Sequence, residues 1–312
     1  MAKAITFHSY KGGAGRSSTA FNTIPYLADA LQADQEHPIL LLDFDIDSAG
    51  MTYLLGQQDY FSAEVNPDAY DVKSFLLNKM IWSTRPIRNL KTHSLLSKFV
   101  PVGRLFGVED GAILFLGVDD AKEIDNKEID GMTAELVNAL NIFADNNEDI
   151  IRAIVFDSAS GEQTVARMAI DFSQTVVSCM RPTTQFQMGA FRHLEKMKKD
   201  GKSKNIVLLP TVVPSDEVEI DGVAQRADAI YRIRNQALVL EEKRNVDSAG
   251  RPLLKLNKTF IQRDCFGINE VQRFKWREGL LYKLEKEGKL NSQDEKEAAS
   301  RYQKLAEVLA TI

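Results

Sequence analysis

The sequence is poor in the residues that staple or metallate proteins, with two Cys and four His among 312 residues. Two cysteines are too few for a disulfide framework. Cys179 and Cys265 are therefore expected to be reduced structural thiols, as in a cytosolic protein. No window approaches about 18 consecutive apolar residues, so no membrane span is expected. The opening MAKAITFHSYKGG holds no apolar stretch long enough for a secretory signal core, and the expected location is cytoplasmic. Trp82 and Trp276 stand alone, without an interleaved aromatic pattern. A large net charge is also missing: 39 basic side chains face 44 acidic ones, for a net of −5, and 44% of residues are apolar. Global disorder is excluded on those figures.

The small total hides an asymmetry. Residues 1–180 carry 14 basic and 25 acidic side chains, whereas 181–290 carry 22 and 15. The length allows one large domain or two small ones, at roughly 100–200 residues per domain. Short apolar runs at 38–44, 112–118, 150–156, 175–179 and 206–213 alternate with helical patterns at 17–33, 127–144, 161–172, 183–199 and 221–234. Such alternation implies βαβ units and an α/β fold, a mostly parallel twisted sheet flanked by helices on both faces. The spacing fits a single domain over 1–312. It carries a Pro-interrupted insertion at 57–110 with a helix near 72–81, an irregular stretch at 235–265, and a last helix over 294–312.

The chemistry concentrates at strand ends. The first strand runs into Tyr10-Lys11-Gly12-Gly13-Ala14-Gly15-Arg16-Ser17-Ser18 and then a helix. A strand, a glycine-rich loop and a helix N-terminus make a phosphate cradle, because backbone N–H groups and the helix dipole converge on the anion. Ser17 is placed to meet Mg²⁺ from the first helical turn. The loop departs from the pattern GxxxxGK[ST], with Tyr10 at the first Gly and Arg16 at the Lys. The second strand ends in Asp43-Phe44-Asp45-Ile46-Asp47, and another apolar run ends in Asp157. Both would bring carboxylates to the strand ends where open α/β sheets bind ligands.

KGGAGRSS resembles the deviant Walker A loop KGGxGK[ST][ST] of the ParA/MinD group of dimeric P-loop ATPases, in the form of the subgroup reading KGGVGRT. Asp43–Met51 and Asp157–Gly161 are similar to that subgroup's second acidic motif and Walker B motif. The likeness covers the first 160 residues well; over 57–110 and beyond about 220 it is one of layout only. It implies ATP and Mg²⁺ as cofactors and an ATP-dependent homodimer. Lys11 would reach the partner's phosphates, with Gly12, Gly13, Ala14, Gly15, Arg16, Ser17 and Ser18 as the cradle. Ser17, Asp43 and Asp157 would lie on the Mg²⁺ side, and Asp45 would position attacking water. Lys11, Arg16 and Asp45 are thus the candidate catalytic residues, in a reaction that needs positioning and charge neutralisation above all.

Arg16 leaves three readings open: it replaces the lysine with slow turnover, it makes ATP a switch without useful hydrolysis, or the site is degenerate. Preference for adenine rests on the family likeness alone, since Leu208–Pro214 lacks the Asn that many relatives place there. An iron–sulfur carrier of the same class needs cluster cysteines, and the spacing of Cys179 and Cys265 does not supply them. A tyrosine kinase needs a Tyr-rich tail. A P-loop ligase and a silent scaffold, the latter in a defence or signalling operon for example, are the remaining alternatives.

Partition, positioning and partner regulation all use such a switch, and a regulatory partner protein is expected. Region 221–290 is the variable partner- or DNA-facing part. Basic residues across 192–290 are candidates for nonspecific DNA binding: the lysines 196, 198, 199, 202, 204, 243 and 275, and the arginines 226, 232, 234, 244, 273 and 277. The last helix places Tyr302, Leu305, Val308, Leu309 and Ile312 on one stripe. Docking on the body is expected for it rather than membrane binding.

Overall fold

The structure is a computed structural model. It describes residues 2–66, 68, 70–77, 96–119, 126–201, 203–215, 218–220, 223–242, 246, 250, 252–271, 274 and 279–312. Both tryptophans and residues 202, 243, 244, 273, 275 and 277 of the basic set lie outside these, as do 78–81 of the expected insertion helix. In chain order the elements are β1 (Lys3–His8), α1 (Arg16–Leu31), β2 (Ile39–Phe44), α2 (Gly50–Leu54), α3 (Gln58–Phe61), α4 (Val72–Leu77), β3 (Val100–Pro101), α5 (Gly103–Phe106), β4 (Ile113–Leu116) and α6 (Asn126–Asn146). They continue with β5 (Ala153–Ser158), α7 (Thr164–Phe172), β6 (Thr175–Met180), α8 (Thr184–Lys199), β7 (Lys204–Pro210), β8 (Glu219–Ile220), β9 (Val223–Ala224), α9 (Gln225–Glu242), β10 (Leu254–Asn257), α10 (Leu281–Lys286) and α11 (Gln293–Thr311).

Among the described residues eight strands form one sheet in the order β10-β7-β6-β1-β5-β2-β4-β3. Every pairing is parallel except β3 with β4. Side chains of a strand alternate between the sheet's faces. In β2, β5 and β6 every residue is buried, so both faces are covered there, which is why these strands read as continuous apolar runs. The mostly parallel, helix-flanked sheet is the architecture expected from the sequence.

Three local readings change. The insertion supplies an edge strand, β3, and its helix α4 is short. The stretch 235–265 contains β10, at the opposite edge. The helix expected from 221 starts at Gln225, because Val223–Ala224 is taken up as β9, antiparallel to β8. At the C-terminus, Ser292 and Glu295 make a reciprocal capping box that starts α11. Tyr302, Leu305 and Leu309 are buried in the core with α1 residues such as Ile24 and Leu27, so most of the apolar stripe docks on the body, while Ile312 is exposed. Among the described residues no helix is long and apolar enough to cross a membrane. Cys179 and Cys265 are buried and unpaired, as expected.

Candidate nucleotide site

Parallel pairing puts the ends of β1, β5 and β2 side by side. Phe7 is in register with Asp157, and Asp157 with Asp43. The loop after β1 therefore opens directly over both carboxylates. Gly13 (φ 76°) and Gly15 (φ 71°) adopt left-handed conformations that a side chain disfavours. Gly15 also stands at the N-cap of α1, where no side chain caps the helix. The first-turn N–H groups are thus left for an anion. Tyr10 no longer needs to be the glycine of the standard loop, because its ring lies on α8. A Cβ on Gly189 would come within 2.2 Å of it.

Arg16 is buried and bridges two strands. Its Nε donates to Asp157 Oδ1 at 2.7 Å, and its Nη2 donates to Asp45 Oδ2 and, at 3.3 Å, to Ser17 Oγ. Burial works against the guanidinium's charge, but Asp157 and Asp45 outweigh it and raise its pKa. Asp157 is itself raised by burial, with Arg16 opposing. Asp43 is pushed up to about 7, by burial first and by Asp157 second, against the lowering effect of Thr52. The Thr52 N–H and Oγ1 both donate to Asp43 Oδ2, each at 2.8 Å, and the Asp45 N–H donates to Oδ1 at 3.2 Å. Both Asp43 oxygens thus accept protein donors, whereas Asp157 Oδ2 is buried with no partner.

The residues suit a phosphate chain with Mg²⁺. Asp157 Oδ2 is an acceptor awaiting a ligand, and Gly50 keeps open the space between Ser17 and Asp45. A Cβ there would lie 2.9 Å from Ser17 Oγ and 3.8 Å from Asp45 Oδ2. Among the described residues no three His, Cys, Asp or Glu side chains form a metal centre. A Mg²⁺ ion here would need phosphate oxygens to fill its shell. Gly50→Ala is expected to weaken Mg²⁺-dependent ATP binding by roughly tenfold or more while leaving Mg²⁺-free binding nearly unchanged. Titration of a fluorescent ATP analogue with and without the metal checks this.

The structure brings Arg16, Ser17, Asp45 and Asp157 into one contact network, with Asp43 beside it. Lys11 stands apart, half-buried, and among the described residues its ammonium meets no acidic partner. Gly12 and Gly13 are exposed at the loop's tip, Ala14 is buried, and Ser18 is half-buried in the first turn. Three residues not singled out by the sequence also serve the loop. Arg181 Nε donates to Gly13 O at 2.7 Å, and Thr211 Oγ1 donates to Ala14 O. Val212 takes a left-handed φ of 54° with its Cγ2 3.1 Å from where a Gly15 Cβ would be. Such a conformation is an outlier for a β-branched residue and marks a strained segment against the loop. Each follows the end of a strand on the β6–β7 side of β1, which is the signal that could have found them.

Below the loop, His8 Nδ1 lies 3.1 Å from Ser158 Oγ, and its ring sits 4.7 Å from that of His193. Burial, then His193 and Arg16, hold the His8 pKa well below 6.5, and burial lowers His193 as well. Histidines buried neutral contribute stability that is full above their unfolded pKa and lost as pH falls below it. The melting temperature is expected to drop as pH is lowered from about 7.5 to about 5.5. The double variant His8→Phe/His193→Phe should flatten that drop in a thermal scan.

Among the described residues, four of the basic candidates have partners within the chain. Lys196 pairs with Glu162, Lys198 donates to Leu240 O, Lys204 donates to Asp171 O and Ser173 O, and Arg232 pairs with Asp228.

No protein-family model and no curated relative matches the chain. Solved structures do. Apo McdA of Cyanothece superposes with a TM-score of 0.60 at 17% identity, covering 98% of this chain and 99% of that one. A McdA variant complexed with ATP gives 0.59 at 15% identity over 100% and 97%. The cell division ATPase MinD of Pyrococcus furiosus gives 0.54 at 16% over 100% and 99%. The chain has the ParA/MinD fold.

Proposed function

We propose that this protein is a cytoplasmic ATPase switch of the ParA/MinD type, used for positioning, partition or regulation of a partner. The observation that carries the reading is the uncapped α1 N-terminus over Arg16, Asp45 and Asp157, with Asp157 Oδ2 unsatisfied. ATP would lie along Gly12–Ser18, with Ser17 and Asp157 toward Mg²⁺ and Asp43 held behind them by Thr52. The metal would neutralise phosphate charge. Asp45 accepts a hydrogen bond from Arg16 in this structure, so positioning water requires that Arg16 turn to the phosphates. The unengaged Lys11 supports a role across an ATP-bridged homodimer. That McdA was solved with ATP and that MinD is called an ATPase support nucleotide use.

Gel filtration with and without Mg²⁺·ATP tests the reading on Asp45→Ala, which should hold ATP and shift to dimer size. No nucleotide affinity and no size shift would overturn it. Lys11→Ala should retain ATP affinity within a few-fold and lose the dimer. A second reading, a switch that does not turn ATP over, is favoured by the Arg16–Asp45 pair. It predicts a stable ATP dimer in the unmodified protein without phosphate release.

A further inference from the structure

We infer that the face built by α9 and α8 docks an acidic amphipathic helix of a partner protein. Helix α9 buries one side in the core through Ala229, Ile230, Ile233, Ala237 and Leu240. Its opposite side repeats Ala227, Tyr231, Arg234 and Leu238 at helical spacing, and all four are exposed. Tyr231 is 66% exposed and Leu238 49%, while Met188 on α8 adds 55%. Single exposed apolar residues mean little; a contiguous group rimmed by charge marks an interaction surface.

Two hollows flank α9. One, of about 650 Å³, includes Ile230, Arg226 and Arg263. The other, of about 350 Å³, lies between α8 and α9 and includes Phe191, Arg192 and Glu195. Their linings hold four arginines and one acidic residue, Glu195. Among the described residues Arg192, Arg234 and Arg263 form no ion pair with a carboxylate. A helix with apolar anchors at i, i+4 and i+7 would fill the hollows, and acidic flanks would answer the arginines. A phosphate-tracking surface has no use for exposed Leu, Val and Met, and a second copy would set these arginines against one another.

The test uses the full chain and a fluorescent peptide of about 20 residues, long enough to be helical, with Leu at helical spacing and Glu elsewhere. Controls are the same peptide with Lys for Glu and a short mixed-sequence DNA duplex. The Glu peptide should bind at least roughly tenfold tighter than the Lys peptide. It should lose roughly tenfold in both Leu238→Ser and Arg234→Glu, positions exposed enough to keep the fold, as far-UV circular dichroism would show. No binding of the Glu peptide at about 1 mM, or equal binding of the two peptides, overturns the proposal. Duplex binding that Arg234→Glu abolishes and Leu238→Ser spares reassigns the face to nucleic acid. Nucleotide-independent self-association lost in Leu238→Ser reassigns it to a second copy.

Discussion

Arg16→Ala should destabilise the protein by about 3–5 kcal/mol, the range for removing one partner of a buried ion pair. In a thermal scan this is a fall of roughly 6–10 °C. The reason is local. Asp157 is fully buried and accepts a hydrogen bond from Arg16 Nε, while Asp45 takes the Nη2 bond. Without the guanidinium two neighbouring carboxylates face each other beside Asp43, and the site should also lose ATP affinity. Arg16→Lys separates the structural and chemical roles. A lysine is a point charge without the planar fork and reaches one carboxylate at a time, costing about 1–2 kcal/mol for the lost bond. If Arg16 restrains Asp45, turnover of ATP should rise in this variant as stability falls. A fall in both would show that the guanidinium itself serves the phosphates.

The second large effect is expected at Thr52, which lies in α2 and is fully buried. It donates twice to Asp43, and its Oγ1 accepts the Val118 N–H at 3.0 Å. Thr52→Val keeps the shape, deprives a buried carboxylate of a donor and orphans a buried amide. Two unsatisfied groups cost about 2–4 kcal/mol together, read as a lower urea midpoint. Thr52→Ser, which keeps the hydroxyl, should avoid most of that loss. The effect should reach ATP as well, because Thr52 holds the Asp43 pKa down. The connection continues outward: the Asp119 N–H donates to Asp71 Oδ2, Asp119 Oδ2 accepts the Ala63 N–H, and Lys73 Nζ donates to Asp119 O. A buried chain of bonds thus runs from the acidic motif into the insertion. Unchanged Mg²⁺·ATP affinity in Thr52→Val, measured alongside the urea midpoint, would sever the site from that chain.

How much could be read beforehand follows from locality. The loop Tyr10–Ser18 and the strand-end aspartates were legible because their conformations are set by neighbours in sequence: glycines where φ is positive, apolar runs where both faces are covered. The edges were not. β3 is two residues long and β10 is buried only at Leu254, so neither carries a continuous run. The start of α9 was misjudged because β9 takes up Val223–Ala224, which the helical pattern includes. The apolar side of α9 that faces outward reads in sequence like one more core stripe.

The sequence by itself determined the parallel α/β sheet, the glycine-rich loop and the set of acidic residues, because each depends on composition within a few residues. Tertiary structure alone decided what those groups do to one another. Arg16 meets Asp45 and Asp157 because β2, β5 and β1 are neighbours in the sheet, far apart as they are in the chain. The net charge of −5 says nothing of this, since electrostatic energy depends on distance and burial, and both are set by the fold.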